Sequence, residues 1–148
     1  KFISYLRIFI ISSFKEMKIK SSQTLVEEAE KCIESLTVKQ VEEILKNKNG
    51  KLIDVRDIRE LWKEGTIKDS KHIPRGMLEF WLDPQSSYYK ENQLNLKKKF
   101  ILFCALGQRS ALAAKTLVDM GFENIAHVKG GFDVLKQSEL ELIVKKKK

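Results

Sequence analysis

The feature that most constrains the fold is an apolar run at residues 100–103 that leads directly into a turn and a helix-forming segment. Every residue of the run is apolar, which is typical of a strand buried on both faces of a parallel sheet. Gly107 lies in the turn, and the Ala-rich stretch 110–120 predicts a helix that ends at Gly121. The segment therefore predicts a buried strand followed by a helix, as in an α/β fold.

The same alternation of strands and helices continues along the chain. Residues 52–55 and 125–128 predict further buried strands, because each is a short, mainly apolar run. A capping box formed by Thr37 and Gln40 predicts the start of a helix, which residues 47–50 end. Helices are also predicted at residues 21–36, 58–64 and 77–82, and from about residue 132. Strands separated by helices favour a three-layer α/β/α fold around a central, mostly parallel sheet.

Composition excludes several classes of protein. The chain of 148 residues is 43% hydrophobic, which is enough for one sizeable core and excludes a wholly disordered chain. With only two cysteines the chain is not a disulfide-stapled scaffold, so we expect free thiols and a reducing location, the cytoplasm. No apolar stretch is long enough to predict a membrane span.

The positive charge is concentrated at the ends of the chain. The net charge is +8, and the last four residues are all lysines, whereas residues 17–144 are close to neutral. We therefore expect a solvated tail, and neither a nucleic acid nor a membrane is predicted as a partner. The chain divides into a non-domain segment, a helical extension, the functional domain and a basic tail, at residues 1–16, 17–34, 35–143 and 144–148.

Residues 1–16 are expected to lie outside the functional domain. They carry an apolar patch at residues 8–11, but Arg7 interrupts the apolar run, and the small-residue cleavage site of a secretory signal does not follow. Met17 begins a sequence that is typical of a protein start. A membrane-anchoring stub is the alternative for this segment.

Cys104 is the candidate nucleophile because of the place to which the strand delivers it. Ligands of open α/β folds bind at the carboxyl edge of the sheet. Amide groups of the turn and of the first helical turn have no acceptor within the helix, so they can donate to a sulfur or an anion. We therefore expect an ionised, solvent-accessible sulfur ringed by main-chain N–H groups. Arg109 is expected to hold an anion above it, and Ser110 to donate to the sulfur or cap the helix.

The motifs around this cysteine resemble those of single-domain rhodanese-like sulfurtransferases. Residues 104–110 read CALGQRS, which is similar to the C-x-x-G-x-R-S active-site loop of that family. Residues 52–56 read LIDVR, as at the end of a family strand, and residues 128–132 contain the Gly-Gly turn that precedes its last helix. The resemblance covers residues 35–142 and implies the rhodanese-like fold. It also implies that the active-site loop consists of Cys104, Ala105, Leu106, Gly107, Gln108, Arg109 and Ser110.

One motif departs from the family pattern. Residues 65–74 align with G-H-I-P-G-A-x-x-I-P, but Thr66, Lys68 and Asp69 replace the His, the first Pro and the second Gly of that pattern. His72 is therefore not the motif histidine. Because these positions mainly shape a turn, the departure affects the predicted loop geometry more than the catalytic assignment.

The resemblance implies a ping-pong sulfur transfer. The Cys104 thiolate would attack the outer sulfur of a small anionic donor such as thiosulfate, become a persulfide, and pass that sulfur to a thiol, cyanide or protein acceptor. Arg109 would bind the anionic end of the donor. Asp54 and Arg56 are interpreted as supporting residues, and Glu60 is the candidate partner for an ion pair with Arg56. Neither a cofactor nor a metal is predicted.

Two other functions stay open at the level of the sequence. Phosphatases and arsenate reductases of the same fold also place a Cys and an Arg around an anion, but with five residues between the two. Here four residues separate Cys104 from Arg109. The shorter loop favours a single sulfur over a tetrahedral phosphate. The other alternative is a persulfide carrier or binding module that acts on protein partners.

The remaining polar candidates are interpreted as structural. Cys32 lies on a predicted helix face and is expected to pack there. His72 and His127 are far apart in the sequence, and neither has a cysteine or carboxylate at metal-ligand spacing. No zinc site is therefore predicted.

Overall fold

The computed structural model describes residues 3–4, 18–91 and 94–148, so the interpretation of residues 1–16 lies almost wholly outside the described residues. The helices are α1 (Ser22–Glu30), α2 (Val38–Lys46), α3 (Ile58–Glu64), α4 (Leu78–Leu82), α5 (Gln108–Asp119) and α6 (Gly131–Leu135), with a 3-10 turn at Arg75–Met77. The strands are β1 (Glu34–Leu36), β2 (Gly50–Asp54), β3 (Thr66–Ile67), β4 (Lys71–His72), β5 (Lys99–Phe103), β6 (Ile125–Val128) and β7 (Leu142–Ile143). Among the described residues, no helix is both long enough and apolar enough to cross a bilayer.

Five of the strands form one parallel sheet in the order β1-β6-β5-β2-β4. β5 occupies the centre, so Leu102 lies opposite Ile53 on one side and His127 on the other. Neighbouring parallel strands need crossover connections, which the helices provide. The α/β/α fold class predicted from the sequence is confirmed.

Side chains of β5 and of the residue that follows it alternate between two cores. Phe100, Leu102 and Cys104 belong to the core formed with α4 and α5. Ile101 and Phe103 belong to the core formed with α2 and α6 on the other face of the sheet. Both faces are covered, which explains why this strand is apolar at every position. The alternation also places Cys104 on the face covered by α5, the helix that follows it.

The segment 21–36 differs from its prediction as a single helix. α1 ends at Glu30, and residues 34–36 form β1, the edge strand that pairs with β6. The helix packs on α5 through a small cluster of Val26, Ala29 and Ala111. Leu36 is buried as a strand residue. The prediction was wrong here because backbone pairing with a distant strand overrides the local spacing of apolar residues.

Two short strands, β3 and β7, form a separate antiparallel pair. Thr66 lies opposite Ile143, so the C-terminal segment is joined to the turn that follows α3. Asp69 in this region has a φ of 62°. This is the position at which the family pattern has glycine, and aspartate tolerates the left-handed conformation better than most residues.

Two glycines bring the Cys104 loop into contact with the turn before α6. Gly131 has a φ of +64°, and a Cβ atom there would lie 2.5 Å from the Cys104 carbonyl oxygen. Gly107 has a φ of +103°, and its Cβ position lies 3.3 Å from the Gly130 nitrogen. The two backbones therefore approach too closely to admit a side chain at position 131.

Backbone hydrogen bonds fix this contact. The N–H of Phe132 donates to the Cys104 carbonyl at 2.7 Å, and the N–H of Asp133 donates to the Ala105 carbonyl at 3.1 Å. Both donors belong to the first turn of α6, where N–H groups have no acceptor within their own helix. The Cys104 loop is thus held between the start of α5 and the start of α6.

Replacing Gly131 by Ala is expected to destabilise the protein by about 3–5 kcal/mol, because backbone strain and overlap with the Cys104 carbonyl both oppose a Cβ atom. Gly121→Ala is the matched control. Gly121 also has a positive φ, 97°, but its chain neighbours aside, no atom of the described residues lies within 4 Å of its Cβ position. That substitution should cost only about 1–2 kcal/mol. Equal losses in the free energy of unfolding, measured by chemical denaturation, would contradict this interpretation.

Candidate active site

The Cys104 sulfur lies inside the turn between β5 and α5, where two main-chain N–H groups donate to it. Sγ accepts from the N–H of Gly107 at 3.2 Å and from the N–H of Ser110 at 3.4 Å. Gly107 is the N-cap of α5, so these donors lie at the positive end of the helix dipole. The Ser110 hydroxyl is 3.6 Å from the sulfur. This arrangement can stabilise a negative charge on the sulfur.

The sulfur is closed off from solvent, which differs from the accessible thiol that the sequence predicts. Cys104 is only 1% exposed and belongs to an apolar core that includes Leu78 and Leu102. Successive side chains along β5 point to opposite faces of the sheet, and this alternation turns the Cys104 side chain towards α5. Polar groups of the loop enclose its other side. A reaction at Sγ therefore requires that a covering side chain move.

Arg109 is the cationic side chain of the loop; it is 38% exposed, and a favourable interaction with Cys104 contributes to its raised pKa. Its guanidinium forms a two-pronged ion pair with Glu60, with both N–H···O distances at 2.8 Å. The hydrogen bonds of this pair raise the pKa of Arg109 and lower the pKa of Glu60. Glu60 thus holds the guanidinium of Arg109 in place.

Asp54 and Arg56 form a buried ion pair behind the loop. Both side chains are 0% exposed, and Arg56 donates to the two carboxylate oxygens of Asp54 from Nε at 3.0 Å and from Nη2 at 2.8 Å. Nη1 of Arg56 lies 3.5 Å from the Glu64 carboxylate. The expected ion pair between Arg56 and Glu60 is wrong, because both carboxylate oxygens of Glu60 are taken by the guanidinium of Arg109.

Further contacts tie this buried pair to the rest of the site. Thr66, which stands in the place of the motif histidine, donates from Oγ1 to Asp54 at 2.7 Å. The Arg56 guanidinium lies 3.9 Å from the centre of the Phe132 ring in α6. A buried charge left without its partner costs about 3–5 kcal/mol, so Arg56 stays bonded to Asp54 of β2. Its contact with Phe132 then holds α6 in a fixed position relative to β2.

The other loop residues contribute backbone groups or surface. Ala105 is half-buried and accepts the hydrogen bond from Asp133 described above. Leu106 is 66% exposed, and Gln108, the first residue of α5, is also exposed. Within this loop, then, Gly107 and Ser110 contact the sulfur, whereas Leu106 and Gln108 are exposed.

Sequence reasoning missed His127 as a residue of this site. The side chain is 1% exposed, and its Nδ1 lies 3.1 Å from the Ser110 hydroxyl. Its Nε2 lies 3.0 Å from the hydroxyl of Ser35 in β1. The signal was a histidine in an otherwise apolar strand, since a buried imidazole needs hydrogen-bond partners.

Two further polar residues lie away from the sulfur. Cys32 is exposed just after α1, so its expected packing on a helix face is wrong, because the helix ends before it. His72 places Nε2 at 2.7 Å from the Arg56 carbonyl and so supports the turn after β2.

Known proteins are similar to this chain in both sequence and fold. The family model of the rhodanese-like domain matches residues 37–138. The mouse thiosulfate sulfurtransferase/rhodanese-like domain-containing protein 3 is 29% identical over 101 residues, which make up 66% of this chain and 64% of the mouse protein. The chain thus spans slightly less than two thirds of that relative. The thiosulfate sulfurtransferase GlpE of Glaesserella parasuis is 29% identical over 113 residues, 76% of this chain and 95% of GlpE.

A solved structure from Rhodopseudomonas palustris extends the similarity over more of the chain. That protein, described as a possible tyrosine phosphatase, is 38% identical with a TM-score of 0.79, and the match covers 86% of this chain and 98% of its own. The matched family region contains the whole Cys104 loop together with β2, and the resemblance inferred from the motifs is confirmed. The chain belongs to the rhodanese-like domain family.

Proposed function

We propose that the protein is a sulfurtransferase that takes a sulfane sulfur from a small anionic donor such as thiosulfate and carries it as a Cys104 persulfide. The acceptor is a thiol or cyanide. The observation that carries the proposal is the pair of main-chain N–H groups, of Gly107 and Ser110, that converge on Sγ at the end of the central strand. Donors aimed at a single sulfur suit an anionic thiolate and the persulfide that replaces it.

The transfer needs no oxidant or cofactor. The Cys104 thiolate attacks the outer sulfur of thiosulfate, the sulfur–sulfur bond of the donor breaks, and sulfite leaves with the bonding electron pair. In the second half-reaction an acceptor thiolate attacks the outer sulfur of the persulfide, and the Cys104 thiolate leaves. This is covalent catalysis with an activated nucleophile.

Arg109 and Glu60 control access of the donor in this proposal. The guanidinium interacts with the sulfur, and its ion pair with Glu60 is partly exposed, so an incoming anion can replace the carboxylate as its partner. The donor is thereby held by a side chain of the loop that carries Cys104. The planar fork of arginine matches the oxygens of a sulfonate group.

A phosphatase is the second candidate, because the similar protein from Rhodopseudomonas palustris is described as a possible tyrosine phosphatase. The short loop between Cys104 and Arg109 and the small number of main-chain donors to Sγ favour sulfur transfer over binding of a tetrahedral phosphate. A persulfide carrier that acts on protein partners would use the same cysteine chemistry. Free thiols at Cys32 and Cys104 suit a reducing compartment, and we propose the cytoplasm.

Incubation with thiosulfate is expected to add one sulfur atom to the protein but not to the Cys104→Ser variant, as measured by intact mass. Cys32→Ser is the matched control and should load like the wild type, because Cys32 is exposed and lies outside the loop. Loading of the Cys104→Ser variant would show that the nucleophile is misassigned. Cys104-dependent hydrolysis of a phosphate ester without thiosulfate turnover would favour the phosphatase.

Arg109→Ala is expected to lower kcat/KM for thiosulfate by roughly 10- to 100-fold, the effect of losing hydrogen bonds to a charged group. Arg109→Lys keeps the positive charge but lacks the planar, two-pronged guanidinium, so its decrease in kcat/KM should be intermediate. Steady-state kinetics at a fixed acceptor concentration measures both. Unchanged kinetics with thiosulfate would refute the anchoring role.

Glu60→Gln is expected to reduce the acid sensitivity of the fold. Arg109 lowers the pKa of Glu60 below its ordinary value of 4.5. The ion pair therefore stabilises the folded state fully above that pH, and this contribution is lost as the pH falls through the lower, folded-state pKa. Free energies of unfolding measured across this range should decline less in the variant than in the wild type. Parallel curves would contradict the assignment.

A further inference from the structure

A continuous chain of polar groups links the buried sulfur to the protein surface. Cys104 Sγ lies 3.6 Å from Ser110 Oγ, which lies 3.1 Å from His127 Nδ1. On the far side of the ring, His127 Nε2 lies 3.0 Å from Ser35 Oγ. Cys104, Ser110 and His127 are each no more than 1% exposed, whereas Ser35 is exposed. The chain therefore begins at a sulfur without direct solvent contact and ends at a solvated hydroxyl.

The surroundings of His127 favour a neutral imidazole. Burial lowers the pKa of His127, and the Glu30 carboxylate at the end of α1 and a hydrogen bond with the Gly107 backbone offset only part of this effect. Glu30 is the charged group that acts on the ring, and the side chains bonded to it are the hydroxyls of Ser35 and Ser110. A neutral imidazole has one donor and one acceptor nitrogen, and each lies next to a hydroxyl that can act in either role.

We propose that Ser110, His127 and Ser35 form a proton relay that carries the thiol proton of Cys104 to solvent. The proposal rests on the proposed role of Cys104 as the nucleophile. His127 does not touch the reacting sulfur, so it is a positioning residue that acts through Ser110. The relay answers a requirement of the site, because a buried thiol must lose a proton before it can attack.

The protons of this step balance, and because they move together, no group between the sulfur and Ser35 becomes charged. In the thiol state, Sγ–H donates to Ser110 Oγ, the Ser110 hydroxyl donates to Nδ1, and Nε2–H donates to Ser35. Each proton then moves one place outward, and the Ser35 hydroxyl releases its own proton to water. In the resulting thiolate state, Ser110 donates to Sγ, Nδ1–H donates to Ser110, and Ser35 donates to Nε2.

This reversal of the hydrogen-bond directions has two consequences. The imidazole changes from the Nε2–H to the Nδ1–H tautomer while it remains neutral, so no buried charge is created on the ring. The thiolate gains the Ser110 hydroxyl as a third donor beside the two main-chain N–H groups. The Gly107 carbonyl lies 3.2 Å from Ser110 Oγ and competes with Nδ1 for the single hydroxyl proton in the thiol state. A carbonyl cannot donate a proton, so this alternative bond does not carry the relay.

The direct test follows the tautomer of His127 in the full chain with Cys32→Ser, so that Cys104 is the only thiol. Nitrogen NMR of the imidazole is recorded as pH rises, while the ultraviolet absorbance of the thiolate reports ionisation of Cys104. The proton is expected to move from Nε2 to Nδ1 in parallel with the thiolate signal. The matched control, Cys32→Ser with Cys104→Ala, should keep one tautomer over the same range. An identical tautomer in the thiol and thiolate states would overturn the relay.

A kinetic test uses alkylation of Cys104 by iodoacetamide, which requires the thiolate but no sulfur donor. Ser110→Ala is expected to slow this reaction about tenfold at neutral pH, the effect of one lost hydrogen bond to a charged group. His127→Asn should slow it to a similar extent, because Ser110 then lacks the partner that directs its hydroxyl towards the thiolate. The double variant should lose no more than either single variant, because both changes interrupt one path. The proposal would be overturned if His127→Asn reacted at the wild-type rate, or if the losses of the two single variants multiplied in the double variant.

These outcomes are separate from a failure of the proposed function. If thiosulfate does not load Cys104, sulfur transfer from that donor is wrong, whereas the tautomer and alkylation results still decide the relay. If His127→Asn does not fold, the NMR measurement on the protein with its native histidine decides it.

Discussion

The close approach of two backbone turns is the constraint on which the rest of the structure depends. The turn after β5 carries Cys104, and the first N–H groups of α6 donate to the carbonyls of Cys104 and Ala105. This contact is short enough that position 131 admits only a hydrogen in place of a side chain. The main-chain donors that converge on Sγ are therefore positioned by two βα turns pressed together, and not by the Cys104 loop alone.

Two arginine–carboxylate pairs lie at different depths and have different consequences. The pair of Asp54 and Arg56 is fully buried, so breaking it would leave a charge without water or a partner. It therefore acts as a permanent brace between β2 and α6. The pair of Glu60 and Arg109 is partly exposed, so water or another anion can replace Glu60 as the partner of Arg109 at modest cost. Only this outer pair is suited to exchange during a reaction.

The central layer of the fold could be predicted because its signals are local. An apolar run such as residues 100–103, or the capping box at Thr37, sets the local structure through residues that are close in the sequence. The strand and the helix that these signals predict are both present. β1 and β7 could not be predicted in the same way. Each is three residues or fewer, and each forms because a distant strand supplies backbone partners.

The site was predictable to the extent that its groups are neighbours in the chain. The loop from Cys104 to Ser110 could be assigned as one unit, but its partners come from elsewhere in the sequence. Glu60 lies 49 residues from Arg109, and His127 lies 17 residues from Ser110. A sequence without coordinates does not say towards which neighbour a carboxylate turns, so Glu60 was assigned to Arg56, whereas in the structure it binds Arg109.

The depth of the sulfur means that main-chain dipoles would be the main stabilising groups for the thiolate of the proposed mechanism. Glu60 matches the charge of Arg109, so the outer pair adds little net positive potential at Sγ. The N–H groups of Gly107 and Ser110 lie in the low-dielectric interior, where a fixed donor interacts more strongly with an anion than it does in water. In the proposed mechanism, a thiolate held in this way would keep its stabilisation when Arg109 exchanges Glu60 for a donor. The groups that hold the sulfur would then act independently of the group that binds the substrate.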